Sequence, residues 1–324
     1  MAYNKTEGTY PSTDGVSTVA YSINIPEGNP RAIIQICHGM WDHMGRYESC
    51  GLVKALTDAG IIVCGNDHIG HGKTASDSTL GHFADWTYMT EDMRLLCRSV
   101  KKKYPRLPYI FLGVGFGALL LRSAMTEWEE IDGVALVGTT AGDTPLKGAK
   151  LSAAAVSLFR GKTHRSPYLR NLLTANLNGS FLSEKDVFSY RSSLPDARSS
   201  LRYDGKCAVE YSAQAYKSVI ALASSVCSSE WVSRVPQSLP IYLMWGEDDT
   251  ATERGEGAKQ LLAALEDREI NDIRHDTFVG RHDIFADVDR ENAVRKLIEW
   301  TDSVCEGVIA CRSYGNVSFG RVDF

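Results

Sequence analysis

The chain has 324 residues, with 35 lysines plus arginines against 40 aspartates plus glutamates and a formal charge of −5. At 44% apolar and 23% charged it can bury a sizeable core, which excludes a disordered chain. The mild acidity argues against a nucleic-acid partner, and no run of about 18 apolar residues is present to span a membrane. The opening stretch MAYNKTEGTYPSTDG lacks the charged-then-apolar pattern of a signal segment, so the expected location is cytoplasmic. The eight cysteines (Cys37, Cys50, Cys64, Cys97, Cys207, Cys227, Cys305 and Cys311) form no CxxC pair, which predicts reduced thiols and no metal site.

In chain order, residues 16–24 alternate like a half-exposed strand, and Arg31–Cys37 is a continuous apolar run of the kind buried on both faces of a sheet. A helix over about 47–59, a strand at Ile61–Cys64 and a helix over 86–104 follow. Next come the strand PYIFLG, the helix FGALLLRSAMTEW and the strand DGVALVG. After an interruption the pattern resumes with the strand PIYLMWG, a helix near 253–265, the strand-like IRHDTFVG and a last helix near 290–303. Alternating strands and helices predict an α/β fold with a mostly parallel sheet covered on both faces. The interruption is helical in pieces and lacks buried-strand runs. The expected division is a core of residues 1–143 and 236–303, an inserted helical cap over 144–235, and a tail over 304–324 that fits no element well, as an extra strand or disordered.

Ligands in such sheets bind beyond the carboxyl ends of the strands, so those turns are where chemistry is sought. His38-Gly39-Met40 follows the first buried strand, and its glycine permits a tight turn that frees the next backbone N–H. Asn66–Gly72 holds two histidines and an aspartate, yet its two glycines suit a hydrogen-bonded turn better than a metal site. Gly113-Val114-Gly115-Phe116-Gly117 has the small-x-nucleophile-x-small form of a nucleophile elbow, but its central residue is a glycine with no reactive group. Asp249 in the turn after PIYLMWG and His282 in the turn after IRHDTFVG then follow in the order elbow, acid, histidine. Cys37 and Ser123, the nearest candidates for a displaced nucleophile, are expected to be structural.

These turns resemble those of the α/β-hydrolase superfamily, specifically the monoacylglycerol lipase and lysophospholipase-like group of serine aminopeptidase S33 type. The group's HG-x-x-E/D-H-x-x-R-Y turn reads here His38-Gly39-Met40-Trp41-Asp42-His43-Met44-Gly45-Arg46-Tyr47, and its D-H-x-G-H-G-x-S turn reads Asp67–Thr74. Its G-x-x-D-P-V acid turn is similar to Gly246–Ala251, and its closing Gly…His-Glu is similar to Gly280-Arg281-His282-Asp283. A looser likeness, to Y-x-x-D-P-x-C, covers Tyr203–Cys207 in the cap. The resemblance implies backbone oxyanion donors at Met40 and Phe116, supporting turns at His38, Gly39, Gly113 and Gly117, and an Asp249–His282 pair serving position 115. It implies an acyl ester or lipid-like ligand under the cap and no cofactor; peripheral contact with a membrane is compatible with it, and the oligomeric state is not legible.

Gly115 leaves three readings open: an inactivated or altered esterase, a non-catalytic protein that binds a lipid-like ligand or a partner, or an enzyme working through Asp249–His282 and water or by proton abstraction. The first is favoured because every other catalytic part is present.

Overall fold

The computed structural model describes residues 3–140, 146–174, 177–207 and 209–315, without the side chains of 146–148 and 311–315. Eight strands form one sheet: β1 (Tyr3–Pro11), β2 (Thr18–Pro26), β3 (Ala32–Cys37), β4 (Ile61–Asn66), β5 (Tyr109–Val114), β6 (Gly133–Val137), β7 (Ile241–Gly246) and β8 (Ile273–Phe278). Their spatial order is β1-β2-β4-β3-β5-β6-β7-β8. β1, β2 and β4 pair antiparallel, and β4 through β8 pair parallel. The continuous apolar runs are the interior strands, and β3 to β7 are buried at every residue.

The core helices are α1 (Met44–Ser49), α2 (Leu52–Asp58), α3 (Thr87–Lys103) and α4 (Phe116–Ala124) before the insertion. The insertion, between β6 and β7, holds α5 (Leu146–Arg160), α6 (Pro167–Thr174), α7 (Pro195–Tyr203), α8 (Ala213–Val226) and α9 (Ser229–Arg234). After it come α10 (Glu256–Asp267) and α11 (Arg290–Gly315). Successive strand side chains point to opposite faces, which splits the core in two. Ile34, Ile36, Val63 and Leu112 pack against α1, α2 and α11, while Ile33, Ile62, Phe111 and Val134 pack against α3, α4 and α10.

Four elements differ from the sequence reading. β1 is an additional edge strand, hidden in the sequence because its residues are half-exposed or exposed and mostly polar. The helix expected over 47–59 is two helices, broken where Gly51 adopts φ +87°. The helix after the elbow stops at Ala124, short of the expected Trp128. The last helix runs on through Gly315, so the first part of the expected tail is helix, held by Val304 and Cys305 in the core; residues 316–324 lie outside the described residues. Among the described residues no helix is long and apolar enough to cross a membrane.

The insertion is packed into the core. Ala215, Val219 and Leu222 of α8 share the apolar cluster of α4. Ser212 and Ser228 start α8 and α9 by accepting the N–H groups of Ala215 and Trp231. Arg122 of α4 is fully buried, and it donates to the Thr140 carbonyl at 2.6 Å and the Val226 carbonyl at 2.5 Å. Its guanidinium lies 4.2 Å from the centre of the Trp231 ring. Arg122→Met should take the guanidinium donor from both carbonyls, leaving the Cys227 thiol 3.6 Å from that of Thr140, and lower stability by about 2–4 kcal/mol in urea unfolding. A loss below about 0.5 kcal/mol would show that the guanidinium is not what joins α4 to α8 and α9.

Candidate active site

At the carboxyl end of β5 the chain turns sharply into α4. Gly115 sits in that turn at φ +54°, ψ −109°, and its N–H donates to the Val137 carbonyl at 2.9 Å. This is a backbone that a side chain strains and glycine does not. A Cβ on Gly113 would stand 2.7 Å from the Cα of Ala118, and one on Gly117 would run into the Cys37 carbonyl. A Cβ on Gly39 would come within 3.2 Å of the Val114 carbonyl. The 38–40 turn and the 113–117 turn therefore meet backbone to backbone. Phe116, the first residue of α4, has no carbonyl one helical turn behind it. Among the described residues, neither its N–H nor that of Met40 donates a hydrogen bond.

Asp249 follows β7 and His282 follows β8, and the structure brings them together. His282 Nδ1 lies 3.1 Å from both carboxylate oxygens of Asp249. Asp249 is fully buried and also accepts the Ala251 N–H at 2.9 Å. With the carboxylate accepting, Nδ1 carries the proton and Nε2 keeps its lone pair. That nitrogen faces the elbow: a Cβ on Gly115 would stand 2.8 Å from it. Behind the ring lies Gly138, which the sequence reading missed. At φ +64° its Cβ would press to 2.6 Å from His282 Cε1 and 3.2 Å from Asp249 Oδ2. Its signal was a glycine closing the buried strand DGVALVG.

His38 is fully buried: Nδ1 donates to the Gly39 carbonyl at 2.9 Å and Nε2 accepts the His68 N–H at 2.9 Å. Its ring lies 4.0 Å from that of His68, and His71 meets the Tyr211 hydroxyl. The 66–74 segment is a hydrogen-bonded turn. Asp67 accepts the Met44 N–H at 2.8 Å and the Lys73 N–H at 2.6 Å, and a Cβ on Gly72 would collide with its carboxylate. Burial lowers His38 to about 4 and His71 to about 3, and pushes His68 well down. An unfolded imidazole titrates near 6.5, so below that pH the unfolded chain takes up protons that the fold refuses. The stabilisation is whole above about pH 6.5 and is lost as pH falls toward 4 and 3. Unfolding free energy should fall by roughly 1.4 kcal/mol per pH unit per histidine. Urea unfolding at pH 7 and pH 5 checks this, and equal midpoints would contradict it.

The two candidates for a displaced nucleophile do not join the pair. Burial pushes the Cys37 thiol well up, and Ser123 lies on α4 two turns beyond Gly115. Among the described residues, no cysteine is joined in a disulfide. One further group, unread in the sequence as a site, links His43, Asp204 and Cys207: His43 Nε2 and an Asp204 oxygen lie 2.8 Å apart, tying the core turn to the insertion.

A cavity of about 440 Å³ is lined by Trp41, Phe188, Tyr190, Cys207 and Val209; none of the predicted site residues lines it, and Tyr190 is its link to the pair. Tyr190 packs 6.0 Å, ring to ring, from His282. A second cavity of about 610 Å³, lined by Trp128, Ile131 and Pro240, lies at the opposite ends of the strands and touches none of the predicted site residues.

Residues 28–289 match the family described as serine aminopeptidase, S33. The chain is 28% identical over 135 residues to a monoglyceride lipase of Rattus norvegicus, covering 41% of this chain and 43% of that protein. It is 31% identical over 117 residues to a monoacylglycerol lipase of Mycolicibacterium smegmatis, covering 36% and 40%. The matched region thus spans less than half the length of these curated relatives. Among solved structures, a thermostable carboxyl esterase of Bacillus coagulans in complex with glycerol superposes with TM-score 0.86 at 25% identity, over 94% of this chain and 99% of that one. A soluble variant of the Saccharomyces cerevisiae monoglyceride lipase, in complex with a substrate analog, gives 0.73 at 16% identity over 94% and 96%. With its eight-stranded sheet and its match over most of its length, the chain belongs to the serine aminopeptidase S33 family of α/β-hydrolases.

Proposed function

We propose that this chain is a carboxylic ester hydrolase of acylglycerol lipase type, altered at its nucleophile so that it binds an acyl ester without forming an acyl-enzyme. The observation that carries the reading is the aim of His282: its Nε2 lies 2.8 Å from where a Cβ on residue 115 would stand. Asp249 orients the imidazole, His282 is the general base and then the acid, and the N–H groups of Met40 and Phe116 face the developing oxyanion. The cavity between Trp41 and Tyr190 takes the acyl chain, with the insertion as its cap. Relatives named as monoglyceride and monoacylglycerol lipases support the ester class.

The test is chemical. Gly115→Ser should be labelled by a fluorophosphonate probe and should hydrolyse short-chain and glycerol esters, while the unmodified chain does neither. A folded, inert Gly115→Ser protein would overturn the reading. Turnover by the unmodified chain that disappears in His282→Ala would replace it with dyad chemistry acting through water.

A further inference from the structure

The insertion returns to the core at Tyr190–Arg191. There the His282 N–H donates to the Tyr190 carbonyl at 3.2 Å and the Asp283 N–H to the Arg191 carbonyl at 2.8 Å. The Arg191 side chain continues under the 38–42 turn. One nitrogen donates to the Met40 carbonyl at 3.2 Å; the other donates to Asp42 at 2.9 Å and Asp283 at 3.1 Å. Arg46 closes the cluster, 3.2 Å from Asp283 and 3.6 Å from Asp42. Two guanidiniums and two carboxylates, all buried, leave no charge unpaired. Burial alone would raise Asp283, but Arg191 and Arg46 more than offset it and hold the carboxyl at about 2.

The peptide unit that follows Met40 is strained. Trp41 holds φ +52°, a region that a side chain of this size leaves unless its surroundings over-determine it. Both polar groups of that peptide are taken by the insertion. Arg191 donates to its carbonyl, and its N–H, that of Trp41, donates to the Tyr211 hydroxyl at 3.0 Å. The Met40 N–H assigned to the oxyanion and the Met40 carbonyl lie on either side of one Cα, so holding the 40–41 peptide narrows the two backbone rotations that aim that N–H. The core supplies the turn, and the insertion supplies both hands that hold it.

We propose that Arg191 and Tyr211 are positioning residues through which the seated cap sets the oxyanion turn. The proposal rests on the hydrolase reading, and its consequence is that the turn is shaped for an oxyanion only while Tyr190–Arg191 and Tyr211 are docked. A cap acting as a lid over the substrate alone would need neither contact with Met40–Trp41.

With Gly115→Ser as parent, Arg191→Lys should lower kcat for p-nitrophenyl butyrate about 100-fold, because an ammonium cannot span the Met40 carbonyl and both aspartates. Tyr211→Phe should lower kcat at least tenfold. KM should stay within threefold in both, and the double variant should lose less than the product of the two, since both act on one peptide. A raised KM with kcat kept would mean that the residues merely seat the cap and would overturn the proposal, as would a folded Arg191→Lys with kcat within twofold of the parent. If the parent itself is inert, the hydrolase reading has failed, and amide hydrogen exchange of the unmodified chain decides the positioning claim. Arg191→Lys should speed exchange in residues 40–43 at least tenfold while leaving 116–121 unchanged; equal exchange in 40–43 would overturn it.

Discussion

Gly115→Ser is expected to raise the rate of ester hydrolysis by about five to six decades, the inverse of what deleting a triad serine costs. Two features set the terms. The elbow already holds φ +54°, so the hydroxyl would be presented at the strand end without remodelling the backbone, at a strain of about 1–3 kcal/mol that glycine avoids. The His282 ring must also withdraw, because 2.8 Å is too close for a Cβ and a ring nitrogen. The gain in rate should therefore accompany a lower urea midpoint. Gly115→Ala separates the two effects: it carries the same Cβ and should show the same loss of stability with no gain in rate. A serine variant as stable as the glycine chain would mean that the ring is less confined than its contact with Gly138 implies.

Asp249→Asn in the serine-bearing protein is expected to cost about four decades in kcat. The asparagine carbonyl can still accept the Ala251 N–H, so the turn survives and stability should change little. The other half of the amide, at the Oδ2 position, is a donor facing His282 Nδ1, which must then become the acceptor. The proton moves to Nε2, and the imidazole facing residue 115 can no longer take one from a serine. A variant that lost activity together with its fold would instead identify Asp249 as chiefly a structural cap of its turn; far-UV circular dichroism and urea unfolding beside the kinetics tell these outcomes apart.

The strand-end turns were legible because close backbone approach admits few residues. Gly39, Gly113 and Gly117 are positions where a Cβ would press on a neighbouring turn or collide with it, and such demands leave a local mark. The interior strands were legible for a related reason, since burial on both faces leaves no place for polar residues. Arg191 left no such mark: its partners Asp42 and Asp283 fall inside the turn motifs, but they lie 149 and 92 residues from it, and alone it reads as a surface charge. β1 was missed because an edge strand needs no apolar run, and Gly138 because a glycine at a strand end announces a turn without saying that a histidine ring will lie against it.

The insertion between β6 and β7 bears on how this protein folds and diverges. β7 must find β6 across roughly a hundred residues, and the entropy of closing such a loop grows only with the logarithm of its length. Doubling the loop would cost only about 0.6 kcal/mol more. The sheet is therefore nearly indifferent to how long the intervening chain is; on the proposed positioning, it is the 40–41 peptide that needs a guanidinium and a phenol to come back to it. Closing the loop is thus a weak constraint on what is inserted at this point, and on the proposed positioning the stronger one is the return of those two side chains.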